Sequence, residues 1–122
     1  MGDQESAVKK NIFEFHAEFC KAFSHPARLE ILCLLKGGER SVSAIIERLG
    51  MSKANVSQHL TVMRMARILK TRRNGANVYY SLANKKFVKA CGLMQQALVQ
   101  LMEGSLSLEK EAVDAMKGDK QP

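Results

Sequence analysis

The stretch Ser52-Lys53-Ala54-Asn55-Val56-Ser57-Gln58-His59-Leu60-Thr61-Val62-Met63-Arg64 is the one around which the chain is organised. Val56, Leu60 and Met63 recur at i, i+4 and i+7, one apolar helical stripe, while Ser52, Lys53, Asn55, Ser57, Gln58 and His59 crowd the first turns with polar groups. One face is therefore buried and the other offers donors and acceptors. Ser52 is placed to cap the amino end by accepting from a free backbone N–H, and Gly50 permits a sharp turn out of the preceding helix. That pattern suits a helix-turn-helix reader whose amino-terminal residues point at base edges.

Upstream, Val42, Ile45, Ile46 and Leu49 share one face of a helix from Ser41 to Leu49, with Ser41 as its cap, and this is the supporting helix of the pair. Before it, Pro26 to Lys36 forms a helix carrying Leu29, Leu32, Cys33 and Leu35 that stops at Gly37-Gly38. Val8, Ile12, Phe15, Phe19 and Phe23 give a first helix whose apolar stripe exceeds what a small domain's own core requires.

Downstream, the period changes from 3.6 to 2. Leu69 to Arg73, then Asn74-Gly75-Ala76-Asn77, then Val78 to Leu82 reads as strand, turn, strand. A basic hairpin directly after a helix-turn-helix is a wing, with Lys70, Arg72 and Arg73 placed to neutralise phosphates. Asn84 is expected to cap a last helix in which Phe87, Cys91, Met94, Leu98 and Leu101 form a long stripe. The expectation is one winged helix-turn-helix domain over residues 1–104, mainly α with a β-hairpin wing and five to six helices, pairing with a second copy through its first and last helices. Residues 105–122 are expected as a tail, either a short helix or disordered.

The chain has 122 residues, a formal net charge of +7 and no Trp, so a single basic domain with an aliphatic core and a polyanionic partner is favoured. No apolar run approaches the roughly 20 residues of a membrane span, and Met1 to Lys10 lacks a signal-peptide core, which points to the cytoplasm and away from membranes. No nucleophile, base and orienting group recur at recognisable spacing, so an enzyme is not expected. No cofactor is called for. Cys20, Cys33 and Cys91 are odd in number and widely spaced, which fits neither a disulfide scaffold nor a CxxC metal site.

Phe23-Ser24-His25-Pro26-Ala27-Arg28-Leu29-Glu30-Ile31-Leu32, the Gly38-Glu39-Arg40-Ser41-Val42 link, the Val56-Ser57-Gln58-His59-Leu60 core and the wing with Arg72-Arg73-Asn74-Gly75 and Val78-Tyr79-Tyr80-Ser81-Leu82 together resemble the ArsR/SmtB family. The resemblance runs from about Phe19 to Leu101. It implies a homodimeric repressor on a palindromic double-stranded operator, released when an inducer is sensed. It also implies base reading by Ser57, Gln58 and His59 and places Arg72 and Arg73 on the wing. Ser52, Lys53, Asn55, Arg64 and Lys70 complete the expected DNA-binding set. Arg67 departs from the family, which usually has Gly there; if the backbone needs a positive φ, Arg67 is mildly strained.

The family's usual metal sites do not carry over. Arg40-Ser41-Val42-Ser43 stands where thiophilic-metal sensors have Cys-x-Cys, and residues 84–104 hold neither Asp nor His. Cys33 matches the position of one of two sensing cysteines in the family's sulfur- and redox-responsive branch, yet the second cysteine's region, around Val99, has none. Inside Ile31-Leu32-Cys33-Leu34-Leu35 a thiol also suits the role of small apolar filler. Cys20 and Cys91 are further sensing candidates, within or between subunits. The expected inducer is a reactive sulfur species or oxidant; the alternatives are a metalloid or metal held by an unusual cysteine site, and a DNA-binding protein with no inducer.

Overall fold

The computed structural model describes the backbone of residues 2–118 and the side chains of 11–106 and 108–116. Its elements run α1 (Gly2–Lys21), α2 (Pro26–Leu34), a single 3-10 turn (Leu35–Gly37), β1 (Arg40–Ser41), α3 (Val42–Leu49), α4 (Lys53–Met65), β2 (Leu69–Asn74), β3 (Asn77–Leu82) and α5 (Lys86–Gly118). The chain divides into two compact units, residues 1–85 and residues 86–122.

In the first unit the core is aliphatic. Ile31, Leu32 and Leu35 from α2 and the turn after it, Ile45 from α3, Val56, Leu60 and Met63 from α4, and Ile68 and Leu69 entering the wing are almost fully buried. Each buried Leu, Ile or Met side chain contributes about 1.5–3 kcal/mol of transfer free energy, so this cluster holds α2, α3, α4 and the wing as one body. The helix boundaries have local causes. Pro26 opens α2, where its missing N–H costs nothing, and the His25 imidazole caps the same end by accepting from the Ala27 N–H. Ser41 Oγ caps α3 by accepting from Ala44 N–H at 3.1 Å, and Ser52 Oγ caps α4 by accepting from Asn55 N–H at 3.2 Å. Gly50 ends α3 at φ 65°, a backbone that a Cβ disfavours. These are the caps and the turn expected from the sequence.

The carboxyl end of α4 closes as a Schellman motif, with Arg67 N–H bonded to Arg64 O and Ile68 N–H to Met63 O. Arg67 occupies its left-handed position at φ 64°, so the backbone does require a positive φ there. Met63 and Ile68, the apolar pair that usually accompanies the motif, are both buried.

The sheet has three antiparallel strands in the order β1-β3-β2. The wing register runs from Leu69 opposite Leu82 to Asn74 opposite Asn77, around Gly75 at φ 63° as the first loop residue. The added strand β1 is absent from the sequence reading. It pairs Arg40 with Tyr80 and Ser41 with Tyr79, so Ser41 both ends a strand and caps α3.

In α1, Ile12, Phe13 and Phe15 stand exposed, and Phe23 falls in the turn beyond the helix. The side chain of Val8 lies outside those described. The second unit is one helix. It starts at Lys86, two residues past the expected cap Asn84, and it passes through Gly104 without a break to Gly118. Residues 105–118, expected as a tail of short helix or disorder, continue this helix: lone glycines inside a strong helical pattern cost only about 1 kcal/mol against Ala, which neighbours such as Leu101, Met102, Leu106 and Leu108 carry through. Leu93, Met94, Leu98, Val99, Leu101, Met102, Leu106, Leu108, Val113 and Met116 are exposed along it. Among the described residues, no helix is long and apolar enough to cross a membrane.

Candidate nucleic-acid interface

The recognition helix α4 buries Val56, His59, Leu60 and Met63 and turns the opposite side outward. Ser52, Lys53, Asn55, Gln58 and Arg64 are exposed and Ser57 is half-buried, which puts six of the seven helix residues expected to face DNA on or beside the open face. Thr61, one turn on from Ser57 and Gln58, is exposed as well. Its hydroxyl donates to Ser57 O at 2.8 Å, which leaves its methyl group available to an apolar base edge such as the thymine methyl. The sequence reading passed over Thr61, although its spacing from Gln58 and Ala54 on a period of 3.6 identifies it.

His59 is the residue that the structure moves out of this set. It is buried, its Nδ1 accepts from Arg28 Nε at 3.1 Å, and its ring lies 4.3 Å from that of His25. The reason is its register: three residues after Val56 and four before Met63, it belongs to the buried stripe. Burial chiefly, with the neighbouring His25 and Arg28 charges, holds the His59 imidazole below the ordinary histidine range. A neutral ring is what the Arg28 hydrogen bond requires, since a protonated Nδ1 could not accept. His59 therefore fastens the recognition helix to the start of α2.

On the wing the three cations are not equivalent. Lys70 and Arg73 are exposed with no acidic partner among the described residues. An opening of about 310 Å³ lies between the end of α4 and the wing, lined by Arg64, Thr71, Arg72, Arg73, Val78 and Tyr80. That cleft carries positive charge from both reading elements. Arg72, expected to be free for phosphate, is instead folded back across the sheet. Its guanidinium stacks over the Tyr79 ring at 4.7 Å and grips Glu39, with Nη2 donating to Oε1 at 2.7 Å and Nε to Oε2 at 3.1 Å. This pairing holds the Glu39 carboxyl below its ordinary range and pushes Arg72 still higher.

A model of the family described as bacterial regulatory proteins of the arsR family matches residues 25–71, which span α2, α3, α4 and the start of the wing. The uncharacterized HTH-type transcriptional regulator Rv0081 of Mycobacterium tuberculosis is 31% identical over 98 residues, covering 80% of this chain and 86% of that protein. The chain belongs to the ArsR family. It is accordingly a DNA-binding transcriptional regulator and not an enzyme. The crystal structure of Rv0081 aligns with this ArsR-family chain at a TM-score of 0.71 over 78% of this chain and 96% of the other. The homodimeric winged helix-turn-helix DNA-binding domain Mb0332 of Mycobacterium bovis, 30% identical, aligns at 0.70 over 79% and 89%. The transcriptional repressor BigR of Xylella fastidiosa, 31% identical, aligns at 0.65 over 76% and 94%.

In this ArsR-family chain Cys20 and Cys33 are exposed free thiols, and Cys91 is half-buried. Exposure of Cys33 removes the filler reading. Ile31, Leu32 and Leu35 point into the core, and two residues on from Ile31 the helix has turned about 200°, which brings Cys33 to the outside. It opens onto a surface cleft of about 680 Å³ lined also by Glu30, Lys36, Arg40 and Arg48. Among the described residues, no three His, Cys, Asp or Glu side chains converge as a metal ion would need.

Proposed function

We propose that this ArsR-family regulator is a homodimeric repressor that reads a palindromic operator and leaves it when cysteine thiols are modified. The observation that carries the DNA reading is the open face of α4. Gln58 is solvent-exposed at its centre, Ser57 and Arg64 flank it, and the Arg64–Arg73 cleft stands beside it for the backbone. Gln58 is suited to bidentate recognition of adenine, and Lys53, Lys70 and Arg73 to phosphates. Exposed apolar residues on α1, and separately on α5, supply surfaces that a second copy would cover. Two recognition helices then meet successive major grooves about 10 bp apart. With DNA as partner, the protein acts in the cytoplasm.

Release through thiols is supported by the place of Cys33, exposed in a cleft with Lys36, Arg40 and Arg48, whose charges steer anionic reagents such as polysulfide toward the sulfur. Selection of duplexes from a random pool tests the first half: the recovered site is palindromic, and Gln58→Ala loses roughly 1–3 kcal/mol of discrimination against a scrambled duplex. Equal affinity of the wild type for both duplexes overturns it. For the second half, polysulfide lowers operator affinity of the wild type and leaves a Cys20→Ser, Cys33→Ser, Cys91→Ser variant bound.

A further inference from the structure

From the Glu39–Arg72 pair we infer that Glu39 is an internal stand-in for a DNA phosphate, which withholds one wing arginine from the duplex and so sets the protein's affinity and salt dependence. The inference rests on the DNA-binding reading above. Three features of the pair support it. The fork geometry, two parallel N–H donations to two carboxylate oxygens, is the one a guanidinium uses on a phosphate, so a single group is being offered two equivalent acceptors. The pair bridges 33 positions of sequence and spans the sheet: Glu39 sits next to β1 on one edge, Arg72 lies in β2 on the other, and the guanidinium crosses Tyr79 of the central strand to reach it. Finally, both side chains keep substantial exposure, 54% for Arg72 and 34% for Glu39, so the contact is open to competition from solvent and from another anion.

Neighbouring Arg73 has no such partner among the described residues, and Lys70 contributes to the field around Glu39 without an ion pair to it. The wing thus presents Arg73 and Lys70 freely and Arg72 conditionally. For Arg72 to contact DNA, its bonds to Glu39 must break while bonds to a phosphate form, and the freed carboxylate gathers cations as the phosphate sheds them. That exchange nearly cancels in counterions, so the third wing cation adds little to the salt dependence of the wild type.

The test is a two-by-two comparison of wild type, Glu39→Gln, Arg72→Gln and the double variant, with full-length protein and a labelled random-sequence duplex over a range of salt. Glu39→Gln is expected to bind about threefold tighter at moderate salt and to steepen the slope of log K against log salt by about 0.9. In the Arg72→Gln background the same change is expected to move affinity less than twofold and leave the slope alone. Glu39→Ala serves as the second variant, and thermal melts confirm that each protein is folded. Unchanged or weaker binding by Glu39→Gln overturns the inference. So does equal tightening with and without Arg72, which would make Glu39 only a nearby negative charge. Wild type without salt-dependent duplex binding overturns the DNA reading together with it, whereas the other failures leave that reading standing.

Discussion

At the scale of single residues, His59 and Arg72 show how a side chain that looks like a contact can be a fastening. The position of His59 was legible, because Val56, His59, Leu60 and Met63 sit at i, i+3, i+4 and i+7 and all four are buried. Its polarity drew attention away from its register. The grip of Glu39 on Arg72 was not legible, since the two are 33 residues apart and meet only after β1 and β2 flank β3. Cys33 lies between these cases: an unbroken apolar run conceals which residue faces out, and only the helical period tells. The His59 arrangement carries a pH dependence. Its imidazole is held below the value of about 6.5 it has in the unfolded chain, so folding favours the neutral ring. The resulting stability is complete above that unfolded value and is lost as pH falls through the lower, folded one. Melting temperature is expected to drop by a few degrees on acidification from neutrality toward about pH 5, and His59→Gln is expected to flatten that decline; calorimetry over this range checks both.

At the scale of elements, the helix-turn-helix was legible almost to the residue because its signals are local: Ser41, Gly50 and Ser52 cap or turn the chain through their own neighbours. The extra strand β1 was not, since two residues carry no periodicity and their pairing with Tyr79 and Tyr80 is long-range. The length of α5 was hard to read for the opposite reason, a local signal at Gly104 being outweighed by helical residues on both sides. Arg67 yields a quantitative expectation. A side chain in the left-handed region costs about 1–2 kcal/mol, and glycine returns about 0.5–1 of that through its greater unfolded-state entropy. Arg67→Gly is therefore expected to stabilise the fold by roughly 0.5–1 kcal/mol, read as a higher urea midpoint with an unchanged slope.

At the scale of the whole molecule, charge and apolar surface point to two different partners. The net charge of +7 suits a polyanion. The exposed row on α5 suits a second protein surface, and ten large apolar side chains on one element are more than an isolated monomer leaves to water. If that partner is a second copy, Leu101→Glu is expected to convert a dimer into monomers in sedimentation experiments and to weaken operator binding by far more than the loss of any one phosphate contact. A Leu101→Glu protein that remains dimeric places the contact elsewhere.

One residue joins the two reading devices. Ser41 holds β3 of the wing through its backbone and the first turn of α3 through its hydroxyl, so the hairpin and the supporting helix meet in one residue. A pull on the hairpin by bound DNA therefore loads that residue, and protection of the Ala44 amide against hydrogen exchange becomes a gauge of tension in the wing.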